Sequence, residues 1–375
     1  MNFMADRTTC PAGLGRRRLL ATTGAAASAL GVSGLTTRTV GDEPTPIDTM
    51  IVNAVVSGAL RDIIQSETGC IINDAPFQTT TDVVARLNAP GGTSRYDLMG
   101  STYEFSLQPI LGVPPGAERV LPLDLSLIPN YNQIVDVALP GIGKRGDKVY
   151  LIPYCWGFDS VVFNRDHVPE DDAYTQSWGA LFEDKYAGRI GWYDVALTTM
   201  SGAALYLGHP EPSKMDKSEL EDVIHFLTIK KKNVRSFYAT FAQALSLFMN
   251  GEIYCGYGTL PIRAQLAQRG FNVGYAFPKE GVMSLTNTVY IPKDAKHPRV
   301  AQQIINTMLG KEYAAQLSKV SGYLSTSKFA PAMLSAEDRK TYGYGVLDGT
   351  VKHVGQYFPS NMNQWLEGWA RIKSA

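Results

Sequence analysis

Ile152-Pro153-Tyr154-Cys155-Trp156-Gly157-Phe158-Asp159-Ser160-Val161-Val162-Phe163-Asn164-Arg165-Asp166 is the stretch around which this chain is organised. It sets a proline, closely spaced aromatics and a glycine ahead of an alternating apolar run. That pattern suits a strand entering from a crevice between two lobes.

On both sides of it there is enough chain for such lobes. The 375 residues allow two domains of ordinary size, and a 45% hydrophobic content can fill two cores. Lys and Arg number 35 and so do Asp and Glu, so the formal net charge is zero. Bulk electrostatics therefore calls for neither nucleic acid nor an anionic membrane, and a neutral surface fits a protein that handles small molecules. Residues 1–45 differ in composition. Arg16-Arg17-Arg18-Leu19-Leu20 precedes an uncharged run of small and apolar residues, which reads as a twin-arginine export signal with a cleavage site at Ala27-Ser28-Ala29. That run is too short and too weakly apolar to span about 30 Å of hydrocarbon, so a soluble exported chain is expected. Of the four cysteines, Cys10 leaves with the signal. Cys70, Cys155 and Cys255 lack the close pairing of zinc or redox motifs and read as small buried hydrophobes, with a disulfide between two of them left open.

Along the mature chain, residues 50–56 form a short apolar strand and residues 59–68 a helix stopped by Gly69. Residues 70–73 give a second strand, 80–87 a second helix and 95–99 a third strand. This alternation predicts a parallel sheet with crossover helices, in which ligands gather at the carboxyl ends of the strands, here Asn53-Ala54 and Gly100-Ser101-Thr102-Tyr103. Gly141-Ile142-Gly143-Lys144-Arg145-Gly146 matches the dinucleotide fingerprint in letters, yet a strand follows where a helix is required, so a hairpin turn is expected. Thr198-Thr199-Met200-Ser201-Gly202 places hydroxyls and amides at a helix start, a site for an anionic or polar group. Further on, a helix is expected over residues 238–250, a strand leaves at Thr259, and Pro261 opens a helix with Arg263 in its first turn. A C-terminal helix closes the chain over residues 361–373. No linker interrupts it, so strands must cross between the lobes.

The ordered set Ser66-Glu67-Thr68-Gly69, Tyr96-Asp97-Leu98, Ser101-Thr102-Tyr103, Ile152-Pro153-Tyr154, Trp156-Gly157, Ser177-Trp178, Lys185-Tyr186-Ala187-Gly188, Asn250-Gly251-Glu252-Ile253, Pro278-Lys279-Glu280-Gly281, Ile291-Pro292-Lys293, Ala295-Lys296 and Gly322-Tyr323 resembles the periplasmic solute-binding proteins of ABC importers, spermidine/putrescine-binding type. The resemblance implies an α/β, two-lobed periplasmic-binding-protein fold of type II. Residues 46–153 with 285–330 would form one lobe, and 154–284 with 331–375 the other. It further implies a monomer that closes over a small-molecule solute and passes it to an ABC permease in the inner membrane, with no cofactor, metal or nucleic acid.

That family holds linear diamines with carboxylates on the ammonium ends and tryptophans along the methylene chain. By the same resemblance, those positions fall here on Val52, Ala54, Val195, Thr198, Leu285 and Asn287, beside a surviving Asp194. A buried ammonium without its carboxylate costs several kcal/mol. The expected solute is therefore polar and amino-acid-derived or opine-like, zwitterionic or anionic, with a polyamine as the alternative. The expected site is Asn53, Ser101, Thr102, Tyr103, Asp194, Thr198, Thr259, Arg263, Asn287 and Tyr323, with Tyr154 and Trp156 walling the cleft.

Two other functions were weighed. An exported enzyme is disfavoured, because no nucleophile-elbow motif occurs and His167, His209, His225, His297 and His353 make no metal-spaced pair. Ferric-iron binding through tyrosine phenolates would need an adjacent pair, and Tyr342-Gly343-Tyr344 is the nearest approach among 19 tyrosines.

Overall fold

The structure, a computed structural model, describes residues 43–375 apart from 78 and 139–142. All but the last three residues of the expected export signal lie outside the described residues, as do Gly141 and Ile142 of the glycine motif.

The strands in chain order are β1 (Thr45–Met50), β2 (Cys70–Asp74), β3 (Leu98–Thr102), β4 (Lys144–Arg145), β5 (Lys148–Val149), β6 (Ile152–Asn164), β7 (Ile190–Tyr193), β8 (Val234–Tyr238), β9 (Cys255–Thr259), β10 (Val273–Tyr275), β11 (Val282–Tyr290), β12 (Leu324–Ser325) and β13 (His353–Gly355). One sheet runs β2-β1-β3-β11-β6-β9-β7-β8, with β10 and β12 beside β6 and β13 beside β11. Its two ends are parallel: β1 with β2 and β3, and β7 with β8 and β9. The centre is antiparallel, since β11 runs against β3 and β6, and β6 against β9. Two βαβ halves are thus joined through β6 and β11.

Local chemistry explains the connections. The Gly58–Thr68 helix ends on Gly69 in the left-handed region at φ 65°, which returns the chain to β2. Thr79 caps the Thr80–Asn88 helix by accepting from the Asp82 N–H. Two differences from the sequence expectation follow the same rules. Residues 234–238 are strand, and the helix begins only at Phe241, because Thr240 and Gln243 form a capping box there. The first strand ends at Met50, and Asn53–Val55 is a short 3-10 turn.

All thirteen residues of β6 are buried. Residues 152–159 lie opposite β11 and residues 159–163 opposite β9, so Asp159 faces both Met283 and Thr259. Pro153 has no N–H to give to the ladder, and the register shifts beside it, between Asn287 and Thr288. Two hydrophobic cores meet along this strand. Ile152 and Phe158 pack in the first with Ile47, Leu98 and Ile304. Val161 and Phe163 pack in the second with Trp178, Trp192 and Phe248. The change of core on β6 therefore falls after Phe158, not at 153/154. Leu334, Tyr344 and Val346 pack in the first core, although residues 331–375 were expected in the second lobe. The Met362–Ser374 helix at the end of that stretch enters the second through Trp365, Trp369 and Ile372, and Val354 packs against it. β13 lies between the two, parallel to β11.

The described part of the glycine motif forms the β4–β5 hairpin. Gly143 has φ +67°, and a Cβ there would stand 2.0 Å from the Leu151 carbonyl oxygen. Gly143→Ala should therefore destabilise the protein by at least about 1–3 kcal/mol, read as a lower urea midpoint. An unchanged midpoint would show that the glycine is not structural.

Candidate functional site

A cavity of about 390 Å³ opens where β3 and β9 end against the two crossing strands. The crossing strands supply Gly157, Phe158 and Asp159 from β6 and Leu285 and Asn287 from β11. The first half of the sheet adds Val52, Phe77, Thr79 to Thr81, Thr102 and Phe105. From the second half come Tyr193, Val195, Thr198, Tyr257, Thr259 and Phe241, and the segment after β13 adds Gln356, Phe358 and Met362.

Asp159 is 6% exposed. Burial pushes its carboxyl up to about 7, opposed by a hydrogen bond with Tyr257. The Tyr193 and Tyr257 rings stack at 5.2 Å and 3° beside it. Among the described lining residues Asp159 is the one carboxyl, and there is no Lys, Arg or His. No ion pair reaches it among the described residues. Holding an ionised carboxylate there costs the folded state on the order of a few kcal/mol, since each unit of pKa shift is about 1.4 kcal/mol. Glu104, in the first turn of the Tyr103–Leu111 helix, is a second raised carboxyl. Burial moves it to about 7, against hydrogen bonds to its own and the Thr286 backbone, and the Asp159 charge adds to the rise. Its two oxygens accept from the Thr286 N–H at 3.1 and 3.0 Å. The partnering of β11 by β3 stops at Asn287, so Glu104 satisfies the next free N–H of the strand edge.

Of the twelve residues expected at the site, five line this cavity: Thr102, Thr198, Thr259, Asn287 and Tyr323. Thr102 donates to Asn287 Oδ1 at 3.5 Å, Thr198 accepts from Gln356 Nε2 at 3.4 Å, and Thr259 caps the Leu260–Gln268 helix. Tyr323 lies against Gly157, where a Cβ would stand 3.0 Å from the ring. The other seven are not among the lining residues. Asn53 donates to Asp74 and accepts from the Phe77 N–H, which fixes the loop that carries Phe77. Ser101 bonds to the Tyr290 hydroxyl at 3.1 Å, and Tyr103 packs on the small core around Met50 and Met99. Tyr154 is enclosed in the first core, and Trp156 packs on Phe158 and His353 at 5.9 and 6.4 Å. Arg263 sits among Tyr342, Tyr275 and Arg165, and burial lowers its pKa. Asp194 accepts from Trp369 Nε1 and Lys373 Nζ, both at 2.8 Å. Burial raises its carboxyl, but those hydrogen bonds and the Lys373 charge outweigh it and hold it below the usual range.

Asp159 was not among the expected residues, although its signal was present: a lone carboxylate inside an otherwise uncharged buried strand. Tyr193, Tyr257 and Phe358 carried no such signal. Tyr342 and Tyr344 do not line the cavity, and Tyr344 is engaged by Ser318 and the Ser325 N–H. Cys155 and Cys255 are buried free thiols, and Cys70 accepts from the Thr68 hydroxyl.

Residues 105–341 match the family of bacterial extracellular solute-binding proteins. The chain belongs to that family. It is 25% identical over 294 residues to the putrescine-binding periplasmic protein of Escherichia coli (strain K12), covering 74% of this chain and 77% of the relative. Its fold is similar to that of the spermidine/putrescine ABC transporter substrate-binding protein of Streptococcus pneumoniae strain Canada MDR_19A, with a TM-score of 0.74, 21% identity and 88% and 99% of the two chains covered. A binding protein from A. tumefaciens B6, solved in complex with glucopine, matches with a TM-score of 0.64 at 16% identity over 88% and 100%. These likenesses show the two-lobed periplasmic-binding-protein fold. This extracellular solute-binding protein is the solute-binding component of an ABC importer and not an enzyme.

Two outcomes follow from the electrostatics. Folded-state values above the unfolded ones mean that Asp159 and Glu104 destabilise the ligand-free protein as pH rises from about 4 to about 7. Asp159→Asn should therefore raise the thermal midpoint of the ligand-free protein at neutral pH and flatten this slope; an unchanged profile would contradict the burial of the charge. Asp194→Asn should cost about 1–2 kcal/mol by loosening the C-terminal helix and leave solute affinity within twofold, as read by calorimetry.

Proposed function

We propose that this protein captures a solute bearing a cationic nitrogen, with Asp159 as its counter-ion and Thr102, Thr198, Thr259, Asn287 and Tyr323 around it. One observation carries this reading: a buried carboxylate faces the cavity, and no described lining residue bears a positive charge. An ammonium placed beside it removes the penalty of burying the charge, and the Tyr193–Tyr257 stack offers cation-π contact. An anionic solute would meet Asp159 without help from Arg263, which does not line the cavity. The expectation of an anionic solute is replaced by that of an amine. The names of the relatives point the same way, and an opine-like solute remains in the class only through its nitrogen.

The same reading includes export through residues 1–45 by the twin-arginine route, a periplasmic monomer and delivery to a permease. The relatives' names support a periplasmic location, and no described helix is long and apolar enough to cross a membrane. Replacing Arg17 and Arg18 by Lys should leave the chain in the cytoplasm on fractionation, and undiminished export would refute the route.

Binding a cation requires Asp159 ionised, so below about pH 7 binding releases the carboxyl proton. The other titratable groups facing Asp159 are Glu104 and Tyr193, Tyr257, Tyr275 and Tyr323, and burial raises all four phenols. Amine affinity measured by calorimetry should therefore rise about tenfold per pH unit below about pH 7 and level off above it. Asp159→Asn should flatten the profile and weaken binding at least tenfold above about pH 7. An affinity indifferent to both pH and Asp159→Asn would sink the proposal.

A further inference from the structure

We propose that the solute is a primary amine with a single cationic head and an apolar, ring-bearing tail, and that Phe358 selects the tail; this rests on the reading of Asp159 as counter-ion. Among the described lining residues the cavity is charged at Asp159 alone. Val52, Val195 and Leu285 form part of its wall. The lining also includes Phe77, Phe105, Leu197, Phe241, Phe358 and Met362. The second ammonium of a diamine would lie against these groups with no counter-ion, and an uncompensated buried charge lowers affinity by orders of magnitude.

The polar side chains nearby do not supply a second anionic partner. Thr79 caps a helix, Thr80 donates to the Thr102 hydroxyl at 3.0 Å, and Gln356 donates to Thr198. Glu104 does not line the cavity, and both its oxygens accept from the Thr286 N–H, bonds that a second head would have to break.

The tail is favoured by what covers the site. Phe358 is 51% exposed yet lines the cavity, with its ring 4.6 Å from that of Phe105. A half-exposed phenylalanine beside a second ring is apolar surface that a ring-bearing solute would remove from water. Its segment runs from β13 to the C-terminal helix, so Phe358 reaches the cavity from outside both βαβ halves.

The test is calorimetry with 2-phenylethylamine, n-hexylamine and putrescine, on the wild type, Asp159→Asn and Phe358→Ala, at a pH where Asp159 is ionised. The wild type should bind 2-phenylethylamine about 100-fold or more tighter than putrescine, with n-hexylamine between them. Phe358→Ala should weaken 2-phenylethylamine about tenfold while leaving the thermal midpoint of the ligand-free protein near that of the wild type. Putrescine binding as tightly as 2-phenylethylamine, no response to Phe358→Ala, or no 2-phenylethylamine binding at millimolar concentration would each overturn the inference. If putrescine binds best and Asp159→Asn abolishes it, the amine reading stands and only the single-headed solute falls. If Asp159→Asn leaves every affinity unchanged, both fall.

Discussion

The antiparallel pairing of β6 with β11 is the constraint on which the rest depends. Every residue of β6 is buried, and along its length it changes partner from β11 to β9 and core from the first to the second. A buried strand admits a charge only where something compensates it. Asp159 stands at the change of partner, with one phenol bonded to it and the cavity before it. Local rules are broken in this way where a protein uses the break, and here a solute can provide the missing charge.

Around that carboxylate the polar groups have been reassigned. Asp194 is held by Trp369 and Lys373 and serves to attach the C-terminal helix. Glu104 completes the hydrogen bonding of an open strand edge. Arg263 lies away from the cavity among tyrosines. Membership of the solute-binding family states how the protein works as a class, but the charge of its solute depends on a few side chains at the crossing. Among the described lining residues Asp159, on the crossing strand, is the one carboxyl.

The glycine motif shows the same division between letters and context. Gly143 is required by a positive φ and by the Leu151 carbonyl, a backbone demand of the β4–β5 hairpin. Gly157 is required because the Tyr323 ring occupies the space of its side chain.

Alternating strands and helices, the helix stop at Gly69 and the apolar run after Pro153 were enough to read an α/β chain whose lobes are joined by strands, because these features are local. Thr102 and Thr259 were also within reach, since strand ends gather at the cleft, and Asn287 through the family resemblance. The facing of individual residues was not. On a strand buried on both sides, the alternation of side chains cannot tell core from cavity, so it does not separate Tyr154 and Trp156, which pack in the core, from Asp159, which faces the cavity. Phe358 and Tyr193 come to one cavity from segments more than 160 residues apart. The sequence by itself determined the class of fold and the crossing strand; the three-dimensional packing decided the site, because burial and partnering of a polar group depend on neighbours that only long-range contacts supply.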